Sequence, residues 1–162
     1  MASEIARIID ELEREHSGDP WHGSPLQQIL DGIDHQQATV RPLPGAHTIW
    51  ELVLHMISWK NEVRRRIGGA PAATPLEGDW PPPPRATPEA WRETLAALQA
   101  SHRSLVSAVA GFAEEQLFQP TNDPRDRESG AGVDHYVLLH GIVQHDVYHA
   151  GQIALLKKAG TT

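Results

Sequence analysis

Apolar residues recur every three or four positions along four stretches of the chain, which predicts four long amphipathic helices. These stretches cover residues 2–16, 48–67, 87–112 and about 133–158. No stretch alternates with the period of two that a strand requires, and no internal repeat is present. The pattern therefore predicts an all-α fold, a four-helix bundle that forms a single domain over residues 1–162.

Capping residues fix where several of these helices begin. Thr48 is followed three positions later by Glu51, which is a capping box, and Thr87-Pro88 combines a favoured N-cap with proline at the first helical position. Ser24-Pro25-Leu-Gln27 has the same signature, with serine as the N-cap. We therefore expect a short extra helix after the first one, with its apolar side formed by Leu26, Ile29, Leu30 and Ile33.

Two segments between the helices are predicted to be loops. Residues 69–86 contain Trp80 followed by four prolines, so they favour an extended polyproline II conformation on the surface. A connection of this length allows the next helix to run parallel to its predecessor, which favours a crossover bundle over a simple up-and-down one. Residues 119–132 are rich in Pro, Asp, Arg and Gly and are predicted to be a polar loop.

Composition narrows the class of protein. The 162 residues carry 14 basic and 21 acidic side chains, a net charge of −7, and 40% of the residues are apolar. Apart from Arg64-Arg65-Arg66 no lysine- or arginine-rich block is present, so we expect no nucleic-acid partner. There is no cysteine, which excludes thiolate metal sites and a cysteine nucleophile. Neither a membrane span nor a signal peptide is expected, and a cytoplasmic enzyme or binding protein is predicted.

The clearest chemical signal is a histidine pair near the end of the chain, His145 and His149. Residues four apart on a helix differ by about 40° in direction, so both rings leave the same face about 6 Å apart. Imidazole nitrogens at that separation can meet on one divalent metal ion, at roughly 2.0–2.1 Å from each nitrogen. Leu138, Ile142 and Leu156 share this face, so the pair points toward the core. The alternative is two core histidines that are hydrogen-bonded to other groups.

A third ligand has to come from another helix, because no His, Asp, Glu or Cys follows His149. His55 is the leading candidate, since it flanks the apolar side of the helix over 48–67. His102 is its rival, but its place in the apolar seam of the third helix favours a hydrogen-bonded core histidine. The remaining histidines are expected at the surface or far from the pair; they are His16, His22, His35, His47, His135 and His140.

Other polar residues near these histidines have open roles. Glu62 lies on the same side of its helix as His55 and is a candidate general base, with an ordinary solvent-exposed glutamate as the alternative. Asp146 is expected to anchor a loop or to orient a neighbouring histidine. Tyr148 and Gln152 are candidates to shape a pocket, although plain packing would also explain them. Neither the zinc-protease motif nor the paired Glu-x-x-His motifs of di-iron bundles are matched.

Two segments, Ile49-Trp-Glu-Leu-Val-Leu-His55-Met-Ile-Ser-Trp59 and His145-Asp-Val-Tyr-His149-Ala-Gly-Gln-Ile153, resemble the DinB-like (YfiT-like) superfamily of metal-binding four-helix bundles. The resemblance extends over nearly the whole chain. It implies an up-down-down-up topology, a homodimer, and a divalent ion held by His55, His145 and His149. Zinc or nickel is the ion that the resemblance implies, while imidazole ligation also permits iron or copper.

The resemblance defines the site better than the reaction. It implies a metal-dependent enzyme acting on a small molecule, either a hydrolase or a low-molecular-weight thiol S-transferase. An open position on a three-histidine ion suits both, because the ion can activate a water molecule or hold a substrate thiolate. The alternative is a non-catalytic metal-binding or stress-response protein, in which the ion is structural or sensory.

Overall fold

The computed structural model describes residues 2–122 and 133–160. These residues contain six α-helices. Four of them are long and two are short, and a 3-10 turn at Glu114–Gln116 follows the fifth. Within these ranges there is no strand, only an isolated bridge between Pro120 and Asp134. The all-α prediction is confirmed. In chain order the helices are α1 (Glu4–His16), α2 (Leu26–Leu30), α3 (His35–Thr39), α4 (Ile49–Ile67), α5 (Pro88–Ala110) and α6 (His135–Ala159).

The capping residues of the long helices act as the sequence predicts. Thr48 Oγ1 accepts the Glu51 N–H at 3.2 Å, and Glu51 Oε2 accepts the Thr48 N–H at 2.7 Å, so the capping box of α4 is closed. Thr87 caps α5 by accepting the Ala90 N–H at 3.2 Å. These bonds satisfy amide groups that have no partner inside the helix, and each cap is worth about 1 kcal/mol.

The short helix after α1 differs from the prediction. Pro25, not Ser24, occupies the N-cap, and no side chain caps the helix. The helix ends at Leu30 because Gly32 adopts a positive φ of 74°, a conformation that glycine favours. A second short helix, α3, then begins with its own cap, Asp34 Oδ1 accepting the Gln37 N–H at 2.8 Å. The predicted helix therefore stops at Leu30, short of Ile33, and α3 is a further helix that the sequence did not predict.

Contacts at the helix ends show that α4 and α5 run parallel. Trp50 in the first turn of α4 lies 5.0 Å from Trp91 in the first turn of α5, measured between ring centroids. Trp50 Nε1 also donates to Thr94 Oγ1 at 3.0 Å. At the far end Val63 packs in the same apolar cluster as Val109. The long connection over residues 68–87 must therefore return the chain to the end of the bundle where α4 began.

The first and last helices run in the opposite direction. The C-terminal part of α6 places Ile153 in the cluster that contains Trp50, so α6 is antiparallel to α4. The Glu4 N–H at the start of α1 donates to Glu114 Oε1 just beyond the end of α5, and His16 at the end of α1 bonds Gln99. The order of directions is up, down, down, up, which agrees with the topology that the resemblance implies.

The buried apolar side chains form two clusters, one at each end of the bundle. Between them every long helix contributes at least one buried polar residue. On α4, for example, Lys60 lies between Met56 of one cluster and Val63 of the other. We call this group the buried polar layer; its members are Glu15, His16, Lys60, His102 and Asp146. Among the described residues no helix has the length and apolar character to cross a membrane.

Candidate metal centre

His55, His145 and His149 converge on one point between α4 and α6. His55 Nε2 and His145 Nε2 are 3.0 Å apart, and one nitrogen of each of the three rings lies within 4.8 Å of the others. His55 and His149 are buried, and the His145 side chain keeps 24% of its surface exposed. Of the three rings, that of His145 is therefore the most exposed to solvent.

The helix arrangement explains this convergence. His145 and His149 lie one turn apart on α6, with ring centroids 4.4 Å from each other. α4 runs antiparallel beside α6, and His55 near its middle faces both rings, at centroid distances of 5.0 Å and 4.7 Å. The sequence predicted that these three residues would meet, and the structure brings them together.

Hydrogen bonds hold the outer nitrogen of two of these rings. His55 Nδ1 bonds the Asp79 carbonyl oxygen at 2.6 Å, and His149 Nδ1 bonds Gln152 Oε1 at 2.7 Å. Because both partners are acceptors, each Nδ1 carries the proton and each Nε2 keeps a free lone pair. His145 Nδ1 lies 3.6 Å from Asp146 Oδ1. The rings of His55 and His149 thus have the arrangement in which an imidazole binds a metal through one nitrogen while a neighbour orients the other.

The environment favours neutral imidazoles, the form that binds metals. Burial lowers the pKa of His149 to about 4, and the nearby His145 and His55 act in the same direction. Burial also lowers the pKa of His55, against the opposing effect of the bond to the Asp79 carbonyl. At neutral pH both rings are therefore unprotonated without any help from an ion.

A loop that the sequence did not connect with the site covers it. Ser58 Oγ donates to the Gly78 carbonyl at 2.6 Å, and Trp59 Nε1 donates to Asp79 Oδ1 at 2.8 Å. Trp80 then stacks on His55, with centroids 3.8 Å apart and planes within 9°. Trp80 lies in a proline-rich segment that has no helical periodicity. The sequence therefore gives no indication that Trp80 packs on His55.

His47 closes the other side of Trp80. Its ring is stacked on the indole at 3.5 Å, so Trp80 lies between His47 and His55. The sequence predicted a surface position for His47; its side chain keeps 43% of its surface exposed and lies at the edge of the site.

A mostly apolar cavity adjoins this edge. It has a volume of about 340 Å³ and shares Gln152 and His47 with the surroundings of the histidines. Its other walls come from the 43–46 loop and from leucines of α4 and α6. The complete lining is Leu43, Gly45, Ala46, His47, Leu52, Gln152, Leu155 and Leu156.

Glu62 makes its hydrogen bonds to residues other than the three histidines. Its carboxylate accepts hydrogen bonds from Arg65, Arg66 and the Ala73 N–H, at 2.7–3.1 Å. These bonds lower its pKa although burial acts to raise it. The side chain is buried, so the expectation of an ordinary exposed glutamate is wrong. Its contacts tie the 71–73 segment to α4, and they give no support to a role as general base.

Asp146 is fully buried in the polar layer next to His145. It forms an ion pair with Lys60, and Lys60 Nζ also lies 3.6 Å from Glu15 Oε1. Burial acts to raise the pKa of Asp146, but the Lys60 ammonium outweighs it and the pKa is lowered. Asp146 therefore stays ionised next to His145, but its Oδ1 and His145 Nδ1 have no hydrogen-bond partner among the described residues. Tyr148 is largely exposed, with its ring 5.0 Å from that of His149.

His102 does not join the three histidines. Its ring is stacked on that of His16 at 3.8 Å, in the buried polar layer next to Glu15. His16 is 1% exposed, so its predicted surface position is wrong. The pattern of α1 contains the signal for this, because Glu15 and His16 continue the apolar side formed by Ile8 and Leu12. His140, on another side of α6, contacts Glu4 and Glu11.

The chain matches the family model of the DinB superfamily over residues 21–153. This range includes all three converging histidines and the loop that carries Trp80. No curated protein and no solved structure matches the chain.

Proposed function

The chain belongs to the DinB superfamily, and we propose that it is a metal-dependent hydrolase that acts on a small molecule. His55, His145 and His149 would hold the divalent ion. The observation that carries the proposal is the convergence of three ring nitrogens, one per histidine, within 4.8 Å of one another. Three imidazoles with an open fourth position are one of the ligand sets of catalytic zinc sites, in which the ion activates a bound water molecule.

The donor set supports an ion of the zinc and nickel class. All three donors are imidazole nitrogens, and hard, oxygen-preferring cations such as magnesium and calcium are poorly served by them. A bound ion of this class supplies Lewis acidity, which lowers the pKa of a water molecule toward 7 and polarises a carbonyl group. The partly exposed His145 side leaves room for a substrate to approach.

The surrounding residues would orient the ligands and position the substrate. The Asp79 carbonyl and Gln152 hold the rings of His55 and His149, so their free nitrogens point inward without further reorganisation. Trp80 covers one side of the site and limits the entry of water. The apolar cavity of about 340 Å³ next to Gln152 has room for an acyl or alkyl group.

Metal content is the first test of this proposal. Purified wild-type protein should contain zinc or nickel, and the His145→Ala/His149→Ala variant should lose the ion held by the three histidines. His140→Ala is the matched control, since it removes an imidazole from the same helix outside the site. Retention of all bound metal by the double variant would refute the proposal.

A substrate panel tests the reaction. Small esters and amides should be hydrolysed in a metal-dependent manner by the wild type and not by the double variant. Thiol conjugates form the second arm, because turnover of these alone would point to the S-transferase that the resemblance also implies. Stoichiometric metal without turnover in any arm would favour the non-catalytic alternative, with a structural or sensory ion. The homodimer and the cytoplasmic location stay predictions.

A further inference from the structure

A large cavity lies on the side of α6 that faces away from the three histidines. It has a volume of about 730 Å³, within the roughly 300–1,000 Å³ that is typical of small-molecule sites. Successive helical residues differ by about 100° in direction, so Ala154, nine positions after His145, points to the opposite side of α6. The cavity lies between this side and the segment over residues 22–29, and it shares no lining residue with the cavity of about 340 Å³ next to Gln152.

One wall of this cavity is apolar. Val147, Ala150 and Ala154 of α6 form it together with Ile29 of α2. Gly151 also lines the cavity, and a Cβ atom placed on it would meet no other atom within 4 Å. The apolar part of a ligand can therefore lie along α6 without displacing a side chain.

The same cavity has a positively charged part. Lys157 and Lys158, in the last turn of α6, both line it. Lys157 Nζ donates to the carbonyl oxygens of Ile29 and Asp31 at 2.9 Å and 2.6 Å, so its ammonium group is held between α6 and the end of α2. None of the described residues that line the cavity is acidic, although the chain has a net charge of −7. Lysines in a last turn also offset the helix dipole, but here they do so at the edge of a cavity.

We propose that this cavity binds a small organic anion, with an apolar chain along α6 and a carboxylate beside Lys157 and Lys158. The two parts of such a molecule match the two parts of the lining. Ser24 and Gln28 line the cavity as well and can donate hydrogen bonds to a carboxylate. Trp21, which comes just before this segment, is fully exposed, and its indole offers further apolar surface at the rim.

Binding of octanoate to metal-free protein tests the proposal, because removal of metal prevents the carboxylate from binding an ion at the three histidines. Isothermal titration calorimetry should show one octanoate per chain. Octanol lacks the charge and should bind about fivefold more weakly, as expected for the loss of an exposed ion pair. Acetate lacks most of the methylene groups and should bind at least about 100-fold more weakly. Absence of octanoate binding would overturn the proposal.

Gly151→Leu tests the position of the apolar chain. The new side chain would occupy the space along α6, so the affinity for octanoate should fall at least about tenfold. Gly141→Leu is the matched control, because a Cβ atom on this helical glycine also meets open space and Gly141 does not line the cavity. Its affinity should stay within about twofold of the wild type. Equal affinities of the two variants would show that octanoate binds elsewhere.

Lys158→Met tests the carboxylate separately and needs no change in the apolar wall. It should weaken octanoate binding about fivefold and leave octanol binding unchanged. An equal effect on both probes, or no effect on either, would overturn the assignment of an anion. His145→Ala/His149→Ala should bind octanoate like the wild type, and loss of binding in this variant would place octanoate at the three histidines instead.

A second copy of the chain is the competing occupant of this cavity. Sedimentation velocity of the wild type and of Gly151→Leu distinguishes the two. If Gly151→Leu converts a dimer into monomers and the wild type does not bind octanoate, the cavity is an interface between copies and the proposal is wrong. Octanoate binding together with an oligomeric state that Gly151→Leu leaves unchanged supports the proposal.

Discussion

Lys60 offers the sharpest test of how the bundle holds its buried charges. Its side chain is completely buried, and its ammonium group is paired with Asp146 and lies near Glu15. Burial acts to lower the pKa of Lys60, but these two carboxylates outweigh it and raise the pKa. Replacement by methionine keeps a similar length and volume while it removes the charge.

The expected cost follows from the state of Asp146 in the variant. A carboxylate with no exposed surface and no cation beside it will take up a proton. Protonating a group whose ordinary pKa is about 3.9 at pH 7 costs about 4 kcal/mol. This agrees with the 3–5 kcal/mol that is typical when one partner of a buried ion pair is removed. Glu15 adds little, because its pKa of about 9 already keeps it protonated at pH 7.

The pH dependence separates this charge effect from lost packing. In the variant the pKa of Asp146 is raised on folding, so stability is recovered as the pH falls toward the unfolded-state pKa. The cost of Lys60→Met should therefore fall from about 4 kcal/mol at pH 7 to under about 1 kcal/mol at pH 4. In the wild type the pKa of Asp146 is lowered, so its contribution persists until more acid pH.

Urea unfolding of metal-free protein, followed by circular dichroism at both pH values, measures this difference. Lys158→Met is the matched control, because it removes the same charge from an exposed position on α6. Its free energy of unfolding should change by less than about 0.5 kcal/mol. An equal cost of Lys60→Met at pH 7 and pH 4 would show that packing, not charge, is responsible, and would refute the reasoning.

Three further predictions concern the site and its surroundings. Gln152→Leu removes the bond that orients His149 and should weaken zinc binding about 10–100-fold, as measured by competition with a chromophoric chelator; unchanged affinity would contradict this role. Gly78→Ala forces a side chain onto a φ of 94° and should destabilise the fold by about 1 kcal/mol in urea, whereas helical Gly141→Ala, which meets open space, should be neutral or stabilising. Because the pKa values of His102 and His149 are lowered, metal-free protein should lose stability as the pH falls from about 6.5 toward 4. Replacing either ring by phenylalanine should flatten that dependence in urea titrations, and an unchanged slope would count against their burial as neutral rings.

The sequence predicts the long helices well because their evidence is local. Apolar spacing and the caps at Thr48 and Thr87 act within a few residues, and the structure confirms both. The short helix predicted from Ser24 to Ile33 is predicted less well. Its capping signal at Ser24 is not used, and Gly32 with its positive φ follows directly after the helix has ended at Leu30.

The convergence of the three histidines is also within reach of the sequence, because His145 and His149 share a helix face and the topology leaves few partners. The buried polar layer is harder to predict. Glu15, His16 and Lys60 lie on the apolar sides of their helices, but a charged residue in such a position is ordinarily assigned to the surface. Only the three-dimensional neighbourhood, in which the Lys60 ammonium meets Asp146 and Glu15 from two other helices, makes the burial of Lys60 possible.

The parallel pairing of α4 and α5 has a consequence for how this scaffold could diversify. The return connection must travel back along α4, and on its way it passes Glu62, Ser58 and His55 in turn. The three histidines thus lie on helices, whereas the segment that covers them, including Trp80, lies in a connection without regular structure. Changes in the length or composition of the cover can alter which molecules are admitted while the coordinating rings stay in place. An up-and-down bundle, whose tight turns lie only at its ends, would have no such independent part.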